Sequence, residues 1–124
     1  MVLVVDDDSG VREVTASMLH DLGYDVIEAG SGGAALDALD HNQSITVVLL
    51  DFAIPGMNGS EVAGEIRSRR PNLPILFATG YADAEAQIDA GNEMIIHKPF
   101  IEQKLAAKLM ETLNERPLPT NMCR

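Results

Sequence analysis

Residues 47–51 read VVLLD, an unbroken apolar run that ends in an aspartate. Such a run, rich in β-branched side chains and without alternating polar positions, is typical of a strand buried on both faces of a parallel sheet. Residues 2–8, VLVVDDD, repeat the same pattern. Because the carboxyl ends of parallel strands lie at one edge of a sheet, we expect Asp6, Asp7 and Asp51 to meet there.

Amphipathic segments alternate with apolar runs along the rest of the chain. The predicted strands cover 2–5, 24–29, 47–50, 73–78 and 94–96. Helical periodicity predicts five helices, at 9–22, 34–40, around 62–66, at 82–90 and at 101–113. This alternation predicts an α/β fold, a doubly wound, flavodoxin-like, five-stranded parallel sheet of order 2-1-3-4-5.

The apolar spacing also predicts where helices begin and end and which side chains they bury. Ser9 is the predicted N-cap of the first helix, and Gly23 is the glycine that ends it. Pro71 is predicted to end the third helix. The side chains predicted to face the sheet are Val11, Val14, Met18 and Leu22, then Leu36 and Leu39, then Val62, Ala63 and Ile66, and finally Ile101, Leu105, Leu109 and Leu113.

The chain has 124 residues, with 19 acidic and 9 basic side chains and a formal net charge of −10. A field this negative argues against binding to nucleic acid or to an anionic membrane surface. The sequence has no visible signal peptide and no apolar run near the roughly 18 residues that a membrane span needs. Its single cysteine, Cys123, forms no internal disulfide, so we expect a cytoplasmic location. We expect one domain over 1–116 and a proline-containing tail or linker stub over 117–124.

Polar side chains follow four of the predicted strands. Asp6 and Asp7 follow the first strand, Asp51 the third, Thr79 the fourth and Lys98 the fifth. Two carboxylates about 4 Å apart repel each other by roughly 4 kcal/mol at an effective dielectric constant near 20. A hard divalent cation relieves such crowding, and an all-oxygen ligand set favours Mg²⁺.

An aspartate beside Mg²⁺ is suited to attack a phosphoryl group and form an acyl phosphate. Asp6 and Asp7 share a strand end, so we expect them to be metal ligands, while Asp51 stands alone on the central strand and is the expected nucleophile. The Thr79 hydroxyl and the Lys98 ammonium group are suited to stabilise the phosphoryl oxygens.

Two other functions use a similar sheet. A hydrolase with an aspartyl-phosphate intermediate needs a second carboxylate two residues after its nucleophile, and Ala53 occupies that position here. A flavodoxin-like binder of flavin or nucleotide needs a small, neutral phosphate cradle after the first strand, where residues 6–8 are all aspartate. The hydrolase with an aspartyl-phosphate intermediate stays the main alternative to a phosphoacceptor function.

Four segments together resemble the receiver domain of two-component response regulators. They are VLVVDDD at 2–8, VVLLDFAIPGMNG at 47–59, FATG at 77–80 and HKPF at 97–100, and the resemblance extends from residue 2 to about 115. The stretch FATGYAD at 77–83 is similar to receivers of hybrid histidine kinases, and a stand-alone single-domain regulator is the alternative.

The resemblance implies a role for each residue of the predicted site. Asp51 corresponds to the phosphoacceptor of the family, Asp7 to the direct Mg²⁺ ligand, and Asp6 to the acidic partner that contacts the ion through water. Ala53 corresponds to the residue whose backbone carbonyl binds the metal. Thr79 is similar to the switch hydroxyl. Lys98 resembles the phosphate-binding lysine, and the family implies a cis Lys98–Pro99 bond.

The resemblance also implies partners and a mode of action. The phosphoryl group would come from a sensor histidine kinase or a histidine phosphotransfer protein, and at most slow self-catalysed phosphorylation and dephosphorylation would accompany it. The output would be a protein contact through the face of the fourth predicted helix, the fifth strand and the fifth predicted helix. Two positions depart from the family pattern, since Ile95 replaces a frequent aromatic residue and Gly80 a usual alanine.

Overall fold

A computed structural model describes residues 1–52, 59–79, 94–97 and 100–115 of the chain. Its strands are β1 (Val2–Val5), β2 (Val26–Ala29), β3 (Val47–Asp51), β4 (Ile75–Thr79) and β5 (Met94–His97). Its helices are α1 (Ser9–Asp21), α2 (Gly32–His41), α3 (Gly59–Arg69) and α4 (Glu102–Glu115). The helix predicted at 82–90 and the tail predicted at 117–124 lie outside these described residues.

The five strands form one parallel sheet in the order β2-β1-β3-β4-β5, as the sequence predicts. Every residue of β1, β3 and β4 is buried, which explains their uninterrupted apolar sequences. Alternate side chains point to opposite faces of the sheet. Leu3 and Val5 pack in a core with α2 and α3, whereas Val2 and Val4 pack in a core with α1 and α4.

The predictions for α1 were partly wrong. Its N-cap is Asp8 rather than Ser9, because the Asp8 carboxylate accepts a hydrogen bond from the Val11 backbone N–H at 3.1 Å. Val11 and Val14 are 39% and 57% exposed, and the buried side chains are Thr15, Ala16 and Leu19. The buried stripe includes a threonine and an alanine, which a count of large apolar residues leaves out. Gly23 ends the helix with φ of 95°, as predicted.

The other helix predictions were mostly confirmed. Leu39 is buried and Leu36 packs against the same core, while Val62, Ala63 and Ile66 are fully buried. In α4, Leu105 and Leu109 are fully buried and Leu113 packs beside them. Ile101 is the exception, because it precedes the helix and is 63% exposed. None of the helices in the described part of the chain has the length and hydrophobicity that a membrane crossing requires.

Strand boundaries differ from the prediction by one or two residues. β2 begins at Val26 rather than at Tyr24, because the Tyr24 backbone N–H still donates to the Leu19 carbonyl at the end of α1. β4 begins at Ile75, directly after Pro74, and extends to Thr79. The extended strands carry Asp51 and Thr79 inside the sheet, at its carboxyl edge.

Candidate metal centre

The three aspartates that the sequence predicts to meet do lie together. One carboxylate oxygen from each of Asp6, Asp7 and Asp51 lies within 4.8 Å of the others. Asp6 and Asp51 are only 5% and 7% exposed, whereas Asp7 is exposed to solvent. The cluster therefore has two carboxylates set into the protein and one at its surface.

The register of the central strands explains this arrangement. Val5 of β1 pairs with Leu50 of β3, so the following residues, Asp6 and Asp51, are neighbours. The Asp6 backbone N–H donates to the Ala29 carbonyl at 3.1 Å, which extends the pairing between β1 and β2 by one residue. The cluster position thus follows directly from parallel pairing of two apolar runs.

Hydrogen bonds fix the loop that leaves β1. The Asp6 carboxylate accepts a hydrogen bond from the Asp8 backbone N–H at 3.0 Å. Arg12 of α1 donates to the Asp6 carbonyl at 2.8 Å and, through its Nε atom, to the Glu28 carboxylate at 3.1 Å. Arg12 therefore ties the acidic strand end to both α1 and β2. Sequence reasoning missed this residue because its partners are set by the fold and not by a local pattern.

Electrostatics favours a cation at this site. At separations of 4–5 Å, each pair of ionised carboxylates repels by roughly 3–4 kcal/mol at an effective dielectric constant near 20. The donor set consists of carboxylate oxygens, which are the ligands that Mg²⁺ accepts, often together with several waters. Asp6, Asp7 and Asp51 therefore fit a hard divalent cation. Ala53, whose backbone carbonyl was the fourth expected ligand, lies outside the described residues.

Thr79 lies at the same edge of the sheet. It is the last residue of β4 and is 1% exposed. Asp51 pairs with Ala78, so Thr79 is one residue further along the neighbouring strand, opposite His97 of β5. Ile95 pairs with Phe77 and is half-buried against the core shared with α2 and α3.

Lys98, Pro99 and Gly80 lie outside the described residues. The predicted position of the Lys98 ammonium group and the predicted cis peptide bond before Pro99 therefore stay predictions.

A sequence model of the family described as "Response regulator receiver domain" matches residues 2–110. The chain belongs to this family. The resemblance noted in the sequence is thereby confirmed, together with the fold and the general role of receiver domains in two-component signal transduction.

Known relatives of this receiver domain include proteins of very different length. A chemotaxis protein CheY homolog of Campylobacter jejuni is 36% identical, and the match covers 90% of this chain and 91% of the relative. A cyclic di-GMP phosphodiesterase of Thermotoga maritima is 33% identical over 93% of this chain, but the match spans 31% of that protein. The crystal structure of a receiver domain protein from Clostridium thermocellum superposes with a TM-score of 0.83 at 28% identity, covering 91% of this chain and 93% of that one.

Proposed function

We propose that this receiver domain is a phosphoacceptor in a two-component phosphorelay, with Asp51 as the residue that takes up the phosphoryl group. The observation that carries the proposal is the buried position of Asp51 at the end of the central strand, within 4.8 Å of Asp6 and Asp7. The relation to CheY homologs supports a signalling role over a catalytic one.

The proposed step transfers a phosphoryl group from a phosphohistidine to Asp51. A carboxylate oxygen of Asp51 forms the new P–O bond, the P–N bond breaks, and the released imidazole takes up a proton. Such transfers depend on in-line positioning and on neutralisation of charge, more than on covalent help from the protein. A bound Mg²⁺ would supply that neutralisation at the phosphoryl oxygens.

The surroundings of the cluster support different roles for its members. Asp7 is exposed, which suits a direct ligand to an ion that keeps several waters. One oxygen of Asp6 already accepts the Asp8 N–H, which suits the proposed contact with the ion through water. Thr79, buried at the adjacent strand end, is the proposed switch hydroxyl. Lys98 is the proposed phosphate-binding cation, and the Ala53 carbonyl the proposed fourth protein ligand.

We propose that this domain does not turn over a substrate. A hydrolase with an aspartyl-phosphate intermediate needs an acid or base near the nucleophile, and the chain has alanine two residues after Asp51. We expect at most slow self-catalysed phosphorylation and dephosphorylation. If the purified chain cleaved a phosphate ester rapidly and repeatedly, that result would support the hydrolase function instead.

The partners are proposed from the family and from exposed apolar side chains. Val11 and Val14 of α1 are exposed and follow the acidic loop in sequence, which supports docking of a sensor histidine kinase or a histidine phosphotransfer protein beside the cluster. Met110 of α4 is 61% exposed, which supports a downstream contact through the face of the predicted helix at 82–90, β5 and α4. The proposed domain covers 1–116, with 117–124 as a tail or linker stub, and a cytoplasmic location stays a prediction.

Intact-mass spectrometry tests the proposed function. The chain is incubated with Mg²⁺ and a small acyl-phosphate or phosphoramidate donor, with or without a chelator. We expect a gain of one phosphoryl group that needs Mg²⁺ and is lost in Asp51→Asn. The matched control is Asp8→Asn, which makes the same chemical change outside the cluster and keeps an N-cap side chain. A failure to gain mass with either donor would refute the proposal.

A further inference from the structure

Thr15 is a buried polar residue in the middle of α1, with an exposed fraction of 5%. A threonine inside a helix can donate its hydroxyl hydrogen to the carbonyl four residues earlier. Thr112 of α4 does so, since its hydroxyl donates to the Lys108 carbonyl at 2.7 Å. Within the described part of the chain, the Thr15 hydroxyl makes no hydrogen bond, and no fully buried side-chain oxygen or nitrogen there lacks a partner, so the Thr15 oxygen is accessible to a water-sized group. This hydroxyl is therefore available to a group that the helix itself does not supply.

Thr15 lines a small cavity together with Asp6 and Asp51. The rest of the wall is mainly apolar and includes Val4 and Leu49, which precede the two aspartates by two residues on the same face of the sheet. The cavity therefore adjoins the two buried aspartates of the candidate metal centre. Its volume is about 10 Å³.

A cavity of this size accommodates one water molecule and no larger ligand. A buried water needs two to four polar partners, and three of the residues that line this cavity have polar side chains: Thr15, Asp6 and Asp51. Ionised carboxylates only accept hydrogen bonds, whereas a hydroxyl donates one. A water that accepts from Thr15 and donates to both carboxylates matches the hydrogen-bonding capacity of all three groups, in addition to the contacts that Asp6 and Asp51 already make.

We propose that Thr15 is a positioning residue of the acidic cluster, which holds one water molecule hydrogen-bonded to Asp6 and Asp51. That water donates to both buried carboxylates and so helps, beside the contacts they already make, to hold the two side chains in the orientation that a cation and the phosphoryl group require. The consequence for phosphorylation rests on the function proposed above, whereas the water site and its effect on the cluster do not. Groups that orient metal ligands in this way typically change metal affinity by about 10- to 100-fold when removed.

Two substitutions separate this role from simple packing. Thr15→Val keeps the shape of the side chain and removes the hydroxyl, while Thr15→Ser keeps the hydroxyl and removes a methyl group. We expect Thr15→Val to lower the free energy of unfolding without Mg²⁺ only slightly, because the side chain keeps its shape and loses one hydrogen bond to the water. We expect its Mg²⁺ affinity, measured by calorimetric titration, to fall about tenfold. Thr15→Ser should bind Mg²⁺ with an affinity within about twofold of the parent chain, by the same reasoning.

Crystal structures of the parent chain and of Thr15→Val provide a readout that is independent of the metal. We expect an ordered water between Thr15 and the two carboxylates in the parent chain, and its loss in Thr15→Val. Three results would overturn the proposal. They are an empty cavity in the parent chain, an unchanged Mg²⁺ affinity in Thr15→Val, and a Mg²⁺ affinity in Thr15→Ser that is as low as the one expected for Thr15→Val. If the water and its effect on affinity are found but Asp51 never takes up phosphate, the proposed function fails and the role of Thr15 stands.

Discussion

Replacing Asp51 by asparagine should stabilise the metal-free domain. Asparagine keeps the shape of the side chain and removes one charge from a cluster whose ligand oxygens lie within 4.8 Å of one another. At that separation each pair repels by about 3.5 kcal/mol at an effective dielectric constant of 20. Salt screening lowers this value, and so do the contacts that Asp6 and Asp51 make with other groups. We expect a net gain of about 1–2 kcal/mol, or roughly 4–8 °C in Tm.

The same substitution should have the opposite effect when Mg²⁺ is present. A ligand at one hundred times its Kd stabilises the folded state by about 2.7 kcal/mol, and the parent chain receives this increment while Asp51→Asn binds the ion more weakly. The order of the two stabilities should therefore reverse between chelator and saturating Mg²⁺.

Thermal and urea unfolding, followed by circular dichroism, measure this reversal directly. Asp8→Asn is the control, because it removes one charge outside the cluster and weakens a favourable interaction with the N-terminus of α1, so it should destabilise slightly in both buffers. The increase in the free energy of unfolding that Asp51→Asn causes without Mg²⁺ should also become smaller as the salt concentration rises, because salt screens the repulsion. If Asp51→Asn is no more stable than the parent chain in the presence of chelator, the electrostatic reasoning is refuted.

Three further predictions concern single side chains. Asp7→Ala should remove most of the stabilisation by Mg²⁺ in a thermal titration, and an unaltered response would contradict its role as a ligand. Arg12→Ala should lower the free energy of unfolding by about 2 kcal/mol, because its two hydrogen bonds go to the Asp6 carbonyl and a carboxylate, and lysine should not restore it. Arg70→Ala should cost about 2 kcal/mol in urea unfolding, since its guanidinium group donates to three backbone carbonyls around the α2–β3 connection. Arg69→Ala is its control and should have little effect, because the ion pair between Arg69 and Asp40 is exposed to solvent.

The sheet and the acidic cluster could be predicted because both follow from short patterns. Uninterrupted apolar runs identify the buried strands, and parallel pairing then brings the residues after β1 and β3 to one edge. Asp6, Asp7 and Asp51 were therefore placed together correctly from sequence alone. The same reasoning gave the strand order, because right-handed crossovers leave few alternatives.

The errors lie where tertiary packing chooses between similar local patterns. Asp8 and Ser9 are both good N-cap residues, and the turn that follows Asp6 selects Asp8. Val11 and Val14 continue an apolar spacing, but the helix turns Thr15 and Leu19 toward the sheet instead. The contacts of Arg12 and Arg70 join residues that are distant in sequence, so no local pattern reveals them.

Chemical trapping of the phosphorylated residue tests the central claim most directly. Borohydride reduces an aspartyl phosphate to homoserine, and tandem mass spectrometry of the digested chain then identifies the position. After phosphorylation with Mg²⁺ and a small acyl-phosphate donor, we predict homoserine at position 51 and at no other aspartate, and none in the presence of chelator. Homoserine at position 6 or 7, or at none of the three, would contradict the assignment of Asp51 as the phosphoacceptor.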